Sequence, residues 1–294
     1  MAVSIYRSIL FAPANDLKKA GKALSLDADG VVLDLEDAVA VAEKANAREK
    51  LQEALALPRR VDVFVRVNGA QTGFILADLL AAVAAGVKGI VLAKSESAEE
   101  VRRVDWLTGQ IEQEKGIKPG SLELIPFIES AGAVLNAYQI ASSSPRVTRL
   151  FFGGVDFVLD IGTSFSRGAT ELFYARAQLV LASRAAGIEP PLDTVYPNFK
   201  DIGGLIEEAK AVRQLGFQGK LAIHPDQVGP LNEVFRPTAD ELAWAEKTVA
   251  AFTAAETRGQ AVLQVDGKMI EYPIALRARQ ILSLAERLKS GNRQ

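Results

Sequence analysis

Charged residues stand where short apolar runs of this chain stop. Asp34, Glu36 and Asp37 end VVLDLED, Arg66 and Asn68 end VFVRVN, and Lys94 ends GIVLAK. Glu129 ends LIPFIE, Asp156 follows LFFGGVD, and His224 ends LAIH. A charge at the edge of an apolar core is partly dehydrated, and it is costly there unless something pairs with it. Glu129 and Asp156 are the sharpest pair. Two carboxylates brought together repel, and a divalent cation relieves this while leaving positions for waters and substrate, the usual Mg²⁺ arrangement. The competing role for Glu129 is to cap a helix or pair with Lys94. Gly153 and Gly154, just before Asp156, let backbone amides come close to an anion, which makes Gly154 and Val155 candidates for substrate binding.

Arg66 has two readings of equal weight. It clamps a substrate carboxylate through parallel hydrogen bonds, or it forms a salt bridge to Glu36 or Asp37. Glu36 and Asp37 are candidates to hold metal-bound waters or to orient Arg66. Asp34 faces the same way by strand alternation but lies deeper, as a structural residue. Lys94 at an acidic rim reads as a charged partner. A Schiff-base lysine needs a desolvated or cationic neighbourhood to lose its proton. His224 precedes a proline and reads as a hydrogen-bonding anchor more than as a general base.

Composition narrows the chemistry. The 294 residues carry 34 Lys and Arg against 36 Asp and Glu, a net charge of −2 that offers no field for nucleic acid or an anionic membrane. With no Cys, disulfides, thiolate metal sites and cysteine nucleophiles are excluded, and a single His excludes any two-His metal site. A bound metal would take mostly oxygen ligands, favouring Mg²⁺, Mn²⁺ or Ca²⁺ over zinc. The N-terminus lacks a signal-peptide pattern and no apolar stretch is long enough to span a bilayer, so the expected setting is the cytoplasm. A mitochondrial matrix enzyme without its presequence would read the same.

Eight apolar runs position these residues: 8–12, 30–35, 61–67, 89–93, 122–128, 147–152, 192–196 and 219–223. The seventh is the weakest. Most are rich in Val, Ile and Leu on both alternating faces, as strands covered on each side are. Amphipathic segments lie between them, among them 16–26, 41–55, 77–85, 98–114 and 170–186. Eight strand–helix units at roughly 30-residue spacing predict a (β/α)₈ TIM barrel, whose chemistry belongs at the C-terminal strand ends. A doubly wound open sheet is the alternative, but no G-x-G-x-x-G loop follows the first run. The barrel is expected over 1–232, with 233–294 as an appended arm. In the arm, 237–258 predicts a helix with Thr238 as N-cap. Two β-prone runs then flank the turn dipeptide Asp266-Gly267, and a last helix starts near Pro273.

The ordered motifs resemble the citrate lyase β-subunit-like members of the HpcH/HpaI aldolase and citrate lyase group over nearly the whole chain. They are RSILFAP at 7–13, DGVVLDLEDAV at 29–39, AEKANAR at 42–48, VRVN at 65–68 and KSES at 94–97. IPFIES at 125–130, GGVDF at 153–157, ARAQLVLASRAAG at 175–187, GFQGKLAIHPDQ at 216–227 and GKMIEYP at 267–273 complete the set. The resemblance implies a Mg²⁺-dependent carbon–carbon lyase, with Mn²⁺ as an alternative, acting on a 3-hydroxy-acyl thioester of CoA or an acyl carrier. Citryl, malyl, methylmalyl and citramalyl thioesters are such substrates, giving an acyl thioester and a 2-oxo acid. Carried over by motif, Glu129 and Asp156 are the metal ligands, Arg66 binds the 2-oxo acid, and Arg7, Lys44 and Arg48 contact the thioester carrier.

The catalytic base implied by the resemblance lies in the C-terminal G-x-M-I-D-x-P motif and is thought to reach a neighbouring subunit's site, implying a homotrimer or homohexamer. Here the motif carries Glu271 in place of Asp. The pKa is similar but the stem is longer. A displacement of about an ångström can cost about a hundredfold in rate. A second departure is VNGAQTGFILADL after Arg66, where relatives often carry an N-P-x-x-T type loop. Alternatives to a CoA-ester lyase are a free-acid pyruvate aldolase of the same group, a citryl-carrier lyase subunit, and a catalytically impaired thioester-binding subunit.

Overall fold

In the computed structural model of the chain, residues 4–291 are described. They form two compact units, one spanning 6–235 and one built from 236 onward with the N-terminal residues before Tyr6.

In the first unit eight parallel strands close in chain order into a barrel. They are β1 (Ser8–Pro13), β2 (Gly30–Asp34), β3 (Asp62–Val67), β4 (Gly89–Leu92), β5 (Glu123–Ile128), β6 (Phe151–Phe152), β7 (Leu192–Asp193) and β8 (Gly219–Ala222), with β8 paired back to β1. The sixth and seventh runs shorten to two residues each. Pro191 and Pro197 flank the seventh and cannot donate to a ladder. Val147, which opens the sixth run, makes only an isolated bridge to Leu124.

Helices α1 (Leu17–Leu24), α2 (Lys44–Leu55), α3 (Ile75–Ala82) and α4 (Ala98–Glu114) follow the first four strands. Two single turns, α5 (Ala131–Leu135) and α6 (Ala137–Ala141), follow β5, and α7 (Gly154–Asp160) with α8 (Phe173–Ala186) follow β6. The last two are α9 (Ile202–Leu215) and α10 (Pro225–Val234). Local chemistry sets several boundaries. Asp16, Ser97, Ser130 and Asp201 each accept a backbone N–H from the helix they begin, and Gly187 and Gly216 end α8 and α9 in the left-handed region.

Two apolar layers result. Ile9, Val32, Phe64, Val91, Ile125, Phe151, Leu192 and Leu221 pack together inside the barrel, while a larger shell including Leu33, Val65, Leu92, Leu124 and Phe152 packs the strands against the helices. The N-terminal end of the barrel is plugged. The Tyr6 ring meets Phe64 edge-on at 5.4 Å, its hydroxyl donates to Asp62 Oδ2 at 2.5 Å, and the fully buried Arg149 guanidinium lies 4.5 Å from its centroid.

A second buried charge group sits between barrel wall and helices. Asp193, on the outward phase of β7, accepts from Arg176 of α8 at 2.8 and 3.0 Å and from the Lys220 ammonium of β8. Glu208 of α9 accepts from the same Arg176 and Lys220 at 2.9 and 2.6 Å. Burial would raise the Asp193 pKa, but Lys220 and Arg176 together hold it below the ordinary carboxylate range.

The second unit holds α11 (Ala239–Glu256), the antiparallel pair β9 (Val262–Val265) and β10 (Lys268–Glu271), and α12 (Tyr272–Gly291). Thr238 caps α11 reciprocally with Glu241. Asp266 and Gly267 both have positive φ, 49° and 75°, the pairing a two-residue hairpin turn demands. Phe252, Val265, Ile270 and Ala275 form this unit's own small core. Among the described residues no helix is long and apolar enough to cross a membrane.

Candidate active site

The inward phase of β2, β3 and β5 carries the rim residues of those strands. Val32 packs inside, so Asp34 and Glu36 follow it inward; Phe64 leads to Arg66, and Ile125 and Phe127 lead to Glu129. Asp34 and Arg66 are register partners across β2 and β3. Arg66 donates from Nε to Asp34 Oδ1 at 2.7 Å and from Nη2 to Oδ2 at 2.5 Å, and its Nη1 lies 3.0 Å from Glu36 Oε2. The guanidinium carbon is 5.1 Å from the Phe11 ring centroid and 5.8 Å from that of Phe127. Burial works against the charge on Arg66, but Asp34 and Glu36 outweigh it and raise the pKa. Asp34 is buried and also accepts the N–H groups of Glu36 and Ala38.

Lys94 ties the rest together. Its N–H donates to Glu129 Oε2 at 2.7 Å, and its ammonium donates to Glu36 Oε1 at 2.6 Å. The same nitrogen lies 3.5 Å from Asp37 Oδ1 and 3.9 Å from Asp156 Oδ1. Its backbone takes φ +50°, a left-handed conformation uncommon outside glycine. The ammonium is therefore a charged partner of the acidic rim. Glu36 Oε2 accepts the Asp37 N–H, and burial raises the Glu36 pKa.

Glu129 is 3% exposed. Burial pushes its pKa up to about 8, with Arg66 opposing and the Asp156 charge adding. Its Oε1 faces Gly153, where a Cβ would stand 2.6 Å away, so only glycine leaves that oxygen room. Asp156 stands in the first turn of α7, half-exposed. This donor set suits a hard dication. One Glu129 oxygen is anchored by Lys94 and the other accepts no protein hydrogen bond, and Asp156 opens toward solvent. Among the described residues no three His, Cys, Asp or Glu side chains form a complete cage. Mg²⁺ does not need one, since it keeps several waters and is held by one or two carboxylates.

Other expected residues fall elsewhere. Arg7 precedes β1 and so stands at the plugged end, roughly 20 Å of strand away from the rim. There it donates bidentately to Asp29 from Nε and Nη2 at 2.8 and 2.6 Å, and it is not a carrier contact at the rim. Lys44 is at the rim side but buried, its ammonium donating to the Leu35 and Glu36 carbonyls at 2.9 and 2.7 Å. That ties down the β2 end in place of a carrier phosphate. Arg48 donates from Nη1 to Asp78 at 2.9 Å and leaves its other nitrogens outward, at 20% side-chain exposure. The Gly154 N–H donates to Thr194 Oγ1 at 2.8 Å, so it is not free for substrate. The Val155 N–H, in the first turn of α7, has no partner within the helix. Glu271 is exposed on β10 of the second unit. His224 caps α10, accepting the Asp226 N–H on Nδ1 at 3.3 Å, and stacks on Phe199.

Three supporting residues escaped the sequence. Thr194 continues the weak seventh run. Asp78 is fully buried under Arg48 and accepts both the N–H and the Nδ2 of Asn68. A lone acid in the apolar run ILADLLAA was its only signal. Ser130 donates to Glu96, joining the ends of β4 and β5.

The family model for HpcH/HpaI aldolase/citrate lyase matches residues 7–225. The citrate lyase subunit beta of Haemophilus influenzae is 37% identical over 294 residues, 99% of this chain and 100% of that protein. The mitochondrial citramalyl-CoA lyase of Rattus norvegicus is 32% identical over 96% of this chain and 87% of its own length. Among solved structures, CitE from Mycobacterium tuberculosis in complex with magnesium, acetoacetate and coenzyme A superposes with a TM-score of 0.78. It is 29% identical, over 97% of this chain and 99% of that one.

Proposed function

The chain belongs to the HpcH/HpaI aldolase/citrate lyase family and is a carbon–carbon lyase, and from that premise we propose a Mg²⁺-dependent CoA-ester lyase. Its substrate is a 3-hydroxy-acyl thioester such as citramalyl-, malyl- or citryl-CoA, cleaved to an acyl thioester and a 2-oxo acid. The observation that carries the proposal is the charge imbalance at the rim. Asp34, Glu36, Asp37, Glu129 and Asp156 outnumber the cations beside them, Arg66, Lys94 and Lys44, and the free Glu129 oxygen and Asp156 are left for a cation. The magnesium in the related CitE structure supports the same choice of ion.

Glu129 and Asp156 hold the dication, which when bound supplies Lewis acidity toward the 2-oxo acid. Arg66 keeps two N–H groups beyond those given to Asp34 and Glu36, and with the Val155 N–H these fix the acid carboxylate. Glu36 and Asp37 orient Arg66 and waters around the ion. Arg48, with its outward nitrogens, is the carrier contact that the structure leaves open.

Glu271 is the base. In the synthetic direction it takes a proton from the carbon next to the thioester carbonyl, the carbanion attacks the oxo carbon, and the new alkoxide is protonated; cleavage runs the reverse. Glu271 belongs to the arm of a neighbouring subunit in a homotrimer or homohexamer in the cytoplasm.

The test is a cleavage screen over citramalyl-, malyl-, methylmalyl- and citryl-CoA with Mg²⁺, following 2-oxo acid. Release from one of them, abolished by chelation, is expected. Glu271→Ala is expected to slow deuterium exchange into acetyl-CoA by about 10²-fold or more while Mg²⁺ affinity holds. No 2-oxo acid from any of the four, or unchanged exchange in the variant, overturns the assignment.

A further inference from the structure

One residue reaches both carboxylates assigned to the metal. The Lys94 N–H donates to Glu129 Oε2 at 2.7 Å, and its ammonium stands 3.9 Å from Asp156 Oδ1 while bonded to Glu36 at 2.6 Å. Lys94 is drawn to the rim by Glu36, Asp37 and Asp156. Its backbone is held at φ +50° with the amide on a buried carboxylate, and Glu36 is itself fixed by Arg66 and the Asp37 N–H.

A dication between Glu129 and Asp156 would therefore sit a few ångströms from the Lys94 ammonium. In a partly buried site such repulsion is weakly screened. Resting on the metal assignment above, we propose that Lys94 lowers the affinity of the free rim for Mg²⁺ and so makes metal capture depend on the 2-oxo acid. The acid brings a carboxylate to the same rim, where its negative charge offsets the ammonium. By linkage the effect is reciprocal: the acid tightens the metal by the factor by which the metal tightens the acid. Lys94 is in this sense a positioning residue, setting the order in which the site fills.

Calorimetric titration of Mg²⁺ into the full chain, with and without saturating pyruvate, tests this. Lys94→Met removes the ammonium but keeps the backbone N–H on Glu129. Lys94→Gly also removes it and accepts the positive φ without strain, so at least one uncharged variant folds. Both are expected to bind Mg²⁺ without pyruvate about tenfold tighter or more than the wild type, by removal of a like charge. In both, the tightening brought by pyruvate shrinks, whereas Lys94→Arg, which keeps the charge, stays near wild type. Mg²⁺ affinity in Lys94→Met and Lys94→Gly equal to or weaker than wild type overturns the proposal. If the wild type binds no Mg²⁺ with or without pyruvate, the metal assignment fails and this proposal falls with it.

Discussion

Glu129, at the C-terminal end of β5, and Asp193, on β7, are both almost wholly buried, yet burial lifts the first to about 8 while the second is held below the ordinary carboxylate range. The difference lies in what surrounds them. Asp193 and Glu208 meet Arg176 and Lys220, two charges of each sign, and every group has a partner. At the rim five carboxylates share Arg66, Lys94 and Lys44, and Glu129 accepts one backbone N–H and no side-chain hydrogen bond. A balanced group is complete and holds α8 and α9 to the wall. An unbalanced one is a place for something to bind. Adjacent residues at the end of β7 serve both, since Asp193 turns outward to the balanced group while Thr194, just past the strand, anchors Gly154 at the rim.

The contrast breaks most visibly under single substitutions. Glu129→Gln is expected to lower kcat by about a thousandfold, the loss of several kcal/mol of transition-state stabilisation, without lowering the urea midpoint. Lys220→Met is expected to cost about 3–5 kcal/mol in urea unfolding, because it strands buried carboxylates, while the folded fraction keeps its activity. A Lys220→Met protein as stable as wild type would erase the distinction between the two groups.

The pH response should differ in sign. With metal chelated, the Glu129 contribution is fully present below its ordinary pKa and lost as pH rises to about 8, since ionisation is what the buried site disfavours. The Asp193 contribution runs the other way, present above the ordinary carboxylate pKa and lost as pH falls through its lowered value. Between pH 5 and 8.5, Glu129→Gln is expected to remove a decline of about 2 kcal/mol or more from the urea-derived stability. If the variant keeps the wild-type slope, Glu129 is not the group that titrates. The smallest expected effect is that of Thr194→Val, about 1 kcal/mol in stability with a raised KM for the 2-oxo acid and little change in kcat. A kcat loss with KM unchanged would place Thr194 in the chemical step.

Strand order and rim positions were legible because alternation and the run-ending residues are local. Thr238 beside TADE and the Asp266-Gly267 turn were legible for the same reason. What pairs with what was not. The main partner of Arg66 is Asp34, which faces it only through the β2–β3 register, and Glu36 takes the remaining nitrogen. The Gly154 N–H is taken by Thr194, 40 residues on in the sequence and at the end of the neighbouring strand β7. The place of Arg7 is readable, since a residue before a strand begins lies at the end away from the chemistry. The positive φ of Lys94 left no trace in its residue type.

The plug of Tyr6, Phe64 and Arg149 has a kinetic consequence. With the barrel interior packed and its far end closed, a ligand at the rim arrives and leaves on the C-terminal face alone. Two products cannot depart independently when the deeper one has the shallower one across its only exit. Where two products are so stacked, departure is sequential, and the record of that sequence is the pattern by which each product inhibits the reverse reaction.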